Sequence, residues 1–206
     1  RIMNAAAAAC QTMGFEAINY GHIPSPAIAL FGLKEQLPTI MVTGSHNPPD
    51  YNGYKISCGK STIFGDEIQQ LRRIMEKGEF LKGTGSKKEY DIFTPYVERY
   101  KKEFSGLEDV SVVLDCGNGA AGAIARRLYE AIGLKPEILF EEPDGTFPNH
   151  HPDPTIESNL THMKSVVLER KAHVGIGFDG DCDRIGGLDD QGRFILGDEL
   201  MAAWAR

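Results

Sequence analysis

The feature that most constrains the fold is an alternation of strand-like and helix-like segments along the whole chain of 206 residues. Short apolar segments, for example Pro38–Val42 and Val174–Phe178, have the length and composition of buried strands, and segments such as Glu157–Arg170 have the length of helices. This alternation predicts an α/β fold. A segment rich in Gly, Lys and Ser, residues 78–88, separates two such series and predicts a domain boundary near residue 91.

Composition and charge are typical of a soluble globular protein and argue against nucleic-acid-binding and membrane proteins. Hydrophobic residues make up 41% of the chain and charged residues 25%, as in soluble globular proteins, and the formal net charge is −7. The chain has no basic stripe, no signal peptide and no apolar run long enough to cross a bilayer, so we expect no nucleic-acid or membrane partner. The four cysteines form no C-x-x-C pair, which predicts reduced thiols and a cytoplasmic protein. Both ends interrupt helix-like segments, which predicts a fragment of a longer chain.

A polar loop at residues 43–50 follows a strand-like segment and carries a hydroxyl group. Ligand sites of open α/β sheets lie beyond the carboxyl ends of the strands, so Ser45 is a candidate functional hydroxyl and His46 is a candidate hydrogen-bond donor to a phosphate, or a base. Pro48 and Pro49 would fix the backbone of the loop. An Asn-Pro turn on the surface explains the same residues, and the loop sequence leaves both interpretations open.

Three aspartates, Asp179, Asp181 and Asp183, occupy alternate positions after a strongly apolar segment. Alternate side chains of an extended segment point to one side, so the carboxylates should converge, and such a cluster is costly unless a cation neutralises it. Carboxylate oxygens suit a hard ion such as Mg²⁺. An EF-hand loop is excluded, because the positions that require Gly and Glu hold Arg184 and Asp190. An acidic surface turn is the alternative.

A glycine-rich segment offers a competing function. The residues from Gly117 to Gly122 match the pattern G-x-G-x-x-G, follow a strand-like segment and precede a helix-like one. Glu137 and Glu141 lie about 20 residues further on, where a ribose-binding acid is expected. The segment is therefore either part of an NAD(P)-binding redox module or a tight structural turn that binds nothing.

Two further segments carry ionisable residues. Lys55 follows a turn, where a partly desolvated amine could donate to or accept from a hydroxyl group, but an ordinary surface lysine has the same pattern. His150 and His151 lie in a proline-rich loop. Adjacent side chains point in different directions and no third ligand is suitably spaced, so we predict a structural loop rather than a metal site.

Four segments together resemble the α-D-phosphohexomutase family. Residues 43–55 look like its phosphoserine loop with a trailing lysine, residues 178–184 like its metal loop, and residues 115–122 like the opening of its second domain. Residues 147–154 match the bacterial phosphomannomutase/phosphoglucomutase branch. The order and spacing of the segments extend the resemblance over essentially the whole chain. It implies two mixed α/β domains, each with three helix-sheet-helix layers.

The resemblance also implies a role for each candidate residue. It assigns Mg²⁺ to four ligands, the first of them through its phosphate: Ser45, Asp179, Asp181 and Asp183. Arg184 would neutralise phosphate near the metal, His46 would contact the phosphoserine region, and Lys55 would be an acid/base or hydroxyl-positioning group. The glycines at 117–122 would form a structural turn.

The implied reaction interconverts hexose 1-phosphate and hexose 6-phosphate, with mannose or glucose as the sugar. The phosphoserine donates to a sugar monophosphate, a bisphosphorylated sugar turns over in the site, and the other phosphate returns to the serine. Glucose 1,6-bisphosphate or mannose 1,6-bisphosphate is then both intermediate and activator. The implied partner is a phosphosugar substrate.

The chain also departs from the family pattern. The resemblance assigns residues 1–91 to domain 1, residues 92–193 to domain 2 and residues 194–206 to the start of domain 3 of four. We therefore expect no useful turnover from this chain alone, and self-association through a face that the missing domains would cover.

Cys182 stands where the metal loop commonly has a second Gly, so the loop is strained if this residue has a positive φ. A non-catalytic phosphosugar- or metal-binding remnant would carry the same motifs.

Overall fold

The computed structural model describes residues 1–48 and 50–205, so the predicted effect of Pro49 on its loop lies outside the described residues, as does Arg206. Contacts between residues divide the chain into two compact units. The first unit comprises residues 1–21, 27–43 and 52–92. The second unit comprises residues 22–26, 44–51 and 93 onward.

Helices and strands alternate along the described residues, which confirms the predicted α/β class. The α-helices are α1 (Ile2–Thr12), α2 (Ser25–Glu35), α3 (Asp66–Lys77), α4 (Phe93–Glu103), α5 (Ala125–Ala131), α6 (Thr161–Arg170) and α7 (Gly197–Trp204). The strands are β1 (Glu16–Asn19), β2 (Pro38–Val42), β3 (Tyr54–Cys58), β4 (Ser61–Thr62), β5 (Ser86–Glu89), β6 (Val112–Asp115), β7 (Glu137–Leu139), β8 (Val174–Phe178), β9 (Ile185–Asp189) and β10 (Phe194–Ile195). Short 3₁₀ helices, Ala120–Ala123 and Glu157–Leu160, precede α5 and α6. Within these bounds, no helix has the length and apolar character that crossing a bilayer requires.

The first unit contains two small sheets. Strand β1 pairs in parallel with β5, whereas β2 pairs antiparallel with β3, which pairs antiparallel with β4. The ring of Phe31 packs against the rings of Tyr20 and Tyr90, with centroids 6.5 and 6.4 Å away. The sequence did not predict β5, because its residues are all exposed and polar and lack an apolar alternation.

The second unit is built on one sheet with the strand order β10-β9-β8-β6-β7. Strands β7, β6 and β8 are parallel, and β9 and β10 are antiparallel to their neighbours. From β6 the chain passes through α5 to β7 on one side, and then through α6 to β8 on the other side. The strand order therefore reverses between β6 and β8. Ligands of open α/β sheets bind beyond the carboxyl ends of the strands at such a point.

Buried side chains cover both faces of this sheet. Successive residues of β6 point to opposite faces, so Leu114 belongs to one apolar cluster and Val113 to another. The first cluster contains Val112, Leu114, Cys116, Ala121, Ala125, Leu134 and Phe178. The second contains Val113, Leu160, Met163, Val167, Ala172 and Leu188. Because α5 contributes to the first cluster and α6 to the second, the unit has the predicted helix-sheet-helix layers.

Candidate functional site

The acidic segment that was predicted to bind a metal lies at the point of reversal, directly after β8. It is a turn and not the extended segment that the sequence suggested. The N–H of Cys182 donates to the carbonyl of Asp179 at 3.0 Å, and the N–H of Asp179 donates to the carbonyl of Arg184 at 3.2 Å. Cys182 has a φ of 65°, a left-handed conformation that disfavours a side chain, so the anticipated strain is present. The turn, rather than alternation along a strand, makes the carboxylates converge.

The turn gathers the three predicted carboxylate ligands. Asp179, Asp181 and Asp183 each offer an oxygen, and these oxygens lie within 4.8 Å of one another. Asp179 and Asp181 are 0% and 2% exposed, so two of the charges are removed from water. Burial raises the pKa of Asp179, the neighbouring carboxylates raise it further, and hydrogen bonds from Arg184 and Ser45 oppose the rise. A hard divalent cation would relieve this repulsion, so the donor set fits the predicted Mg²⁺.

Ser45 lies against this turn with its hydroxyl at the carboxylates. Its Oγ donates to Oδ2 of Asp179 at 2.8 Å, although the two residues are 134 positions apart. The φ of Ser45 is 52°, an uncommon conformation for a non-glycine residue and one that clusters at functional sites. The carbonyl oxygen of Ser45 approaches Gly180 so closely that a Cβ there would overlap it. Glycine is therefore required inside the acidic turn.

The guanidinium of Arg184 connects Ser45 to the acidic turn. Its Nη2 donates to Oγ of Ser45 at 3.2 Å and to Oδ2 of Asp179 at 3.2 Å, and its Nε donates to the same carboxylate oxygen at 3.3 Å. Nη2 also contacts Nδ1 of His46. The other terminal nitrogen, Nη1, lies 3.9 Å from Oδ1 of Asp153. Arg184 thus places a fixed positive charge beside the Ser45 hydroxyl.

His46 and Lys55 are the remaining predicted site residues. Nδ1 of His46 lies 3.3 Å from Oγ of Ser45, and its ring stands edge-on to that of His151, with centroids 6.1 Å apart. Lys55 lies on β3, where it pairs with Met41 of β2. Lys55 belongs to the first unit, whereas the other predicted site residues all belong to the second.

The glycine-rich segment that suggested a dinucleotide site is a tight turn whose amides are engaged. The N–H of Gly117 donates to Oδ1 of Asp115 at 2.9 Å, and the N–H of Ala120 donates to the carbonyl of Gly180 at 2.9 Å. A Cβ on Gly119 would come within 2.8 Å of that same carbonyl oxygen. A dinucleotide cradle directs its amides at the pyrophosphate, so these contacts favour the structural turn.

Three residues make contacts at or near the site that were not predicted. Ser25 donates to Oδ2 of Asp181 at 2.7 Å, but a serine between two prolines gives no local sign of this contact. Asp153, beside Arg184, lies in a loop whose prolines indicated a rigid connection. His150 places Nε2 3.0 Å from Oδ1 of Asp115, a contact between segments that no local pattern signals.

Family profiles match most of the chain. The profile of phosphoglucomutase/phosphomannomutase alpha/beta/alpha domain I matches residues 1–82, and that of alpha/beta/alpha domain II matches residues 94–192. The chain belongs to the phosphoglucomutase/phosphomannomutase family. This membership confirms the resemblance to the phosphohexomutases that the sequence motifs indicated.

Individual members of the family agree with this assignment. A phosphomannomutase/phosphoglucomutase from Pseudomonas aeruginosa is 39% identical over 194 residues, which cover 94% of this chain and 42% of that protein. A phosphoglucomutase from Neisseria meningitidis serogroup B is 37% identical over 196 residues, covering 94% and 43%. The chain thus spans less than half the length of these curated relatives. A solved family member from Burkholderia thailandensis is 35% identical with a TM-score of 0.91, and the match covers 99% of this chain and 46% of that one.

Proposed function

We propose that the chain is part of a phosphohexomutase that interconverts the 1- and 6-phosphates of mannose or glucose through a phosphoserine at Ser45. The observation that carries this proposal is the position of the Ser45 hydroxyl, 2.8 Å from Oδ2 of Asp179 and 3.2 Å from Nη2 of Arg184. Phosphoryl transfer depends mainly on positioning and on neutralising spread negative charge, which these neighbours and a bound cation provide. The names of the relatives support the class of substrate.

The acidic turn would hold Mg²⁺ through three carboxylates, Asp179, Asp181 and Asp183, and through a phosphate oxygen on Ser45. When bound, the ion supplies Lewis-acid stabilisation of the phosphoryl oxygens. Arg184 adds a second positive charge, whose direction is fixed by its hydrogen bonds to Asp179. His46, with Nδ1 near the serine oxygen, contributes a polar contact to the same phosphoryl group.

The transfer itself exchanges one phosphorus–oxygen bond for another. The bond between Oγ of Ser45 and phosphorus breaks while a bond forms between phosphorus and a hydroxyl oxygen of the hexose monophosphate. The hydroxyl proton passes to a base, and Lys55 is our candidate acid/base or hydroxyl-positioning group. The product is glucose 1,6-bisphosphate or mannose 1,6-bisphosphate. After this intermediate turns over, its other phosphoryl group returns to Oγ and a hexose monophosphate leaves.

The proposal extends to the organisation of the whole protein. Residues 1–91 would form its first domain, residues 92–193 its second and residues 194–206 the start of a third. Contacts from the remaining domains to distant parts of the substrate orient the reacting group, so this chain alone would not complete turnover. The face that those domains cover would favour self-association. The free thiols of all four cysteines support a cytoplasmic protein.

Phosphorylation of Ser45 tests the proposal directly. The chain is incubated with Mg²⁺ and glucose 1,6-bisphosphate, and its intact mass and phosphopeptides are measured. We expect one phosphate on Ser45 in the wild type and in a control variant, Ser57→Ala on β3, and none in Ser45→Ala. Phosphate on another residue of the folded wild type, or phosphate that persists in folded Ser45→Ala, would contradict the assignment. A parallel titration with NAD and NADP should show no binding, whereas a redox module would bind one of them.

A further inference from the structure

Ser25 makes two hydrogen bonds to one residue of the acidic turn. Its Oγ donates to Oδ2 of Asp181 at 2.7 Å, and its N–H donates to the carbonyl oxygen of Asp181 at 2.9 Å. The residues are 156 positions apart, and they are 7% and 2% exposed. The roles proposed above for the phosphoryl and metal chemistry do not include Ser25.

The local sequence holds the backbone of Ser25 in place. Helix α2 begins at Ser25, and Pro24 and Pro26 flank it. Proline is well tolerated in the first turn of a helix, because its φ is already helical and its missing N–H is not needed there. A following proline also reduces the backbone conformations that are sterically open to a residue. The hydroxyl that meets Asp181 is thus carried on a conformationally restricted segment.

We propose that Ser25 is a positioning residue for the metal site. Its hydroxyl sets the rotation of the Asp181 carboxylate, and its amide fixes the backbone of the acidic turn at the same residue. The inference rests on the proposed function, in which Asp181 is a metal ligand. A carboxylate that is already oriented loses less freedom when an ion binds, so Ser25 raises the affinity for the ion. Residues that orient metal ligands in this way typically change metal affinity by about 10–100-fold.

Titration with Mn²⁺ tests this role without relying on turnover. Mn²⁺ takes the same oxygen ligands as Mg²⁺, and the free ion is measured by electron paramagnetic resonance. We compare the wild type with Ser25→Ala, with Ser25→Thr, which keeps a hydroxyl, and with a control, Ser111→Ala. The Ser111 hydroxyl lies 2.8 Å from Nδ1 of His173 in the second unit, so its loss removes a serine hydrogen bond outside the acidic turn.

We expect Ser25→Ala to weaken Mn²⁺ binding by about 10-fold or more. Ser25→Thr should retain most of the affinity, and Ser111→Ala should bind Mn²⁺ as the wild type does. Equal affinity in the wild type and in folded Ser25→Ala would overturn the positioning role and leave the proposed metal site standing. An equal loss in Ser111→Ala would also overturn it, because the cause would then be general destabilisation. A wild type that binds no Mn²⁺, or binding that survives Asp181→Asn, would instead contradict the metal site, and the role of Ser25 with it.

Discussion

At the scale of single residues, the site depends on two backbone conformations that side chains disfavour. Ser45 and Cys182 have φ values of 52° and 65°, and both hydrogen-bond to Asp179. Each such conformation costs about 1–2 kcal/mol relative to an ordinary one, so the surroundings must hold it in place. Close contact with Gly180 does so for Ser45, and packing against the apolar cluster that contains Phe178 does so for Cys182.

The strain at Cys182 predicts an unusual order of stability for two substitutions. Cys182→Gly and Cys182→Ala both remove the sulfur, but only glycine adopts a positive φ without steric cost. We expect the glycine variant to be more stable than the alanine variant by about 1 kcal/mol in its free energy of unfolding, measured in urea. At Cys116, which is buried and does not have a positive φ, the order should be reversed. If Cys182→Ala has a free energy of unfolding equal to or greater than that of Cys182→Gly, the conformation at position 182 is not strained.

The geometry of Arg184 predicts that lysine cannot replace it. A single ammonium group does not reproduce the fork that engages Asp179, Ser45 and His46 together. In Arg184→Lys, phosphorylation of Ser45 by glucose 1,6-bisphosphate should slow by roughly 10-fold to 100-fold. The rate is measured from the intact mass of the protein at successive times. Arg193→Lys is the matched control, because Arg193 forms ion pairs with Asp189 and Glu199. Comparable phosphorylation rates in the wild type and Arg184→Lys would contradict the role of Arg184 in the transfer.

At the scale of secondary-structure elements, the sequence predicted the buried strand β8 and missed what depends on distant contacts. Strand β2 has its predicted range, but the prediction that it is buried is wrong, because none of its residues is buried. Strand β8 matches its predicted range because an apolar run of that length signals a buried strand by itself. The helix-like segment that was expected after the glycine-rich motif is a 3₁₀ turn followed by α5. A Cβ on Gly122, within that turn, would overlap the carbonyl oxygen of Glu141, an approach that no local pattern reveals.

The candidate site shows the same division between local and distant information. The acidic residues and Ser45 were recognisable because each motif is continuous in sequence. Their convergence was predicted for the wrong reason, since the carboxylates meet across a turn that contains a left-handed Cys182. Ser25 could not be assigned, because its partner Asp181 lies 156 positions away and the serine alone resembles any residue at the start of a helix.

The connection between β7 and α6 is attached to the sheet by an ionisable pair. Nε2 of His150 lies 3.0 and 3.1 Å from the two carboxylate oxygens of Asp115, the last residue of β6. This hydrogen bond raises the pKa of His150, and burial of the imidazole opposes the rise. Because the folded state holds the proton more tightly, the stabilisation is complete below the ordinary pKa of 6.5 and is lost as pH rises through the raised value.

This linkage predicts how the difference between the wild type and His150→Gln depends on pH. Glutamine can donate a hydrogen bond but does not titrate. At pH values below the ordinary pKa of histidine, the wild type should be more stable than His150→Gln by about 1.5 kcal/mol, as expected for a hydrogen bond to a charged group. The difference should shrink as pH rises toward 9, measured by urea unfolding at each pH. The control variant is His162→Gln, at a histidine whose ring centroid lies 5.3 Å from that of Phe140 with an interplanar angle of 39°. A constant difference for His150→Gln would contradict the linkage.

At the scale of the whole molecule, the proposed metal ligands all lie in one of the two compact units. An ion that binds only the folded site stabilises that unit by about 2.7 kcal/mol when its concentration is 100 times the dissociation constant. Mg²⁺ should therefore slow hydrogen exchange in peptides that cover β8 and the acidic turn. Peptides that cover α3, in the first unit, should exchange at unchanged rates. In Asp183→Asn, which loses the more exposed ligand, the protection should weaken while the metal-free exchange pattern is retained. Equal protection of both units, or protection that survives this substitution unchanged, would place the ion elsewhere on the chain.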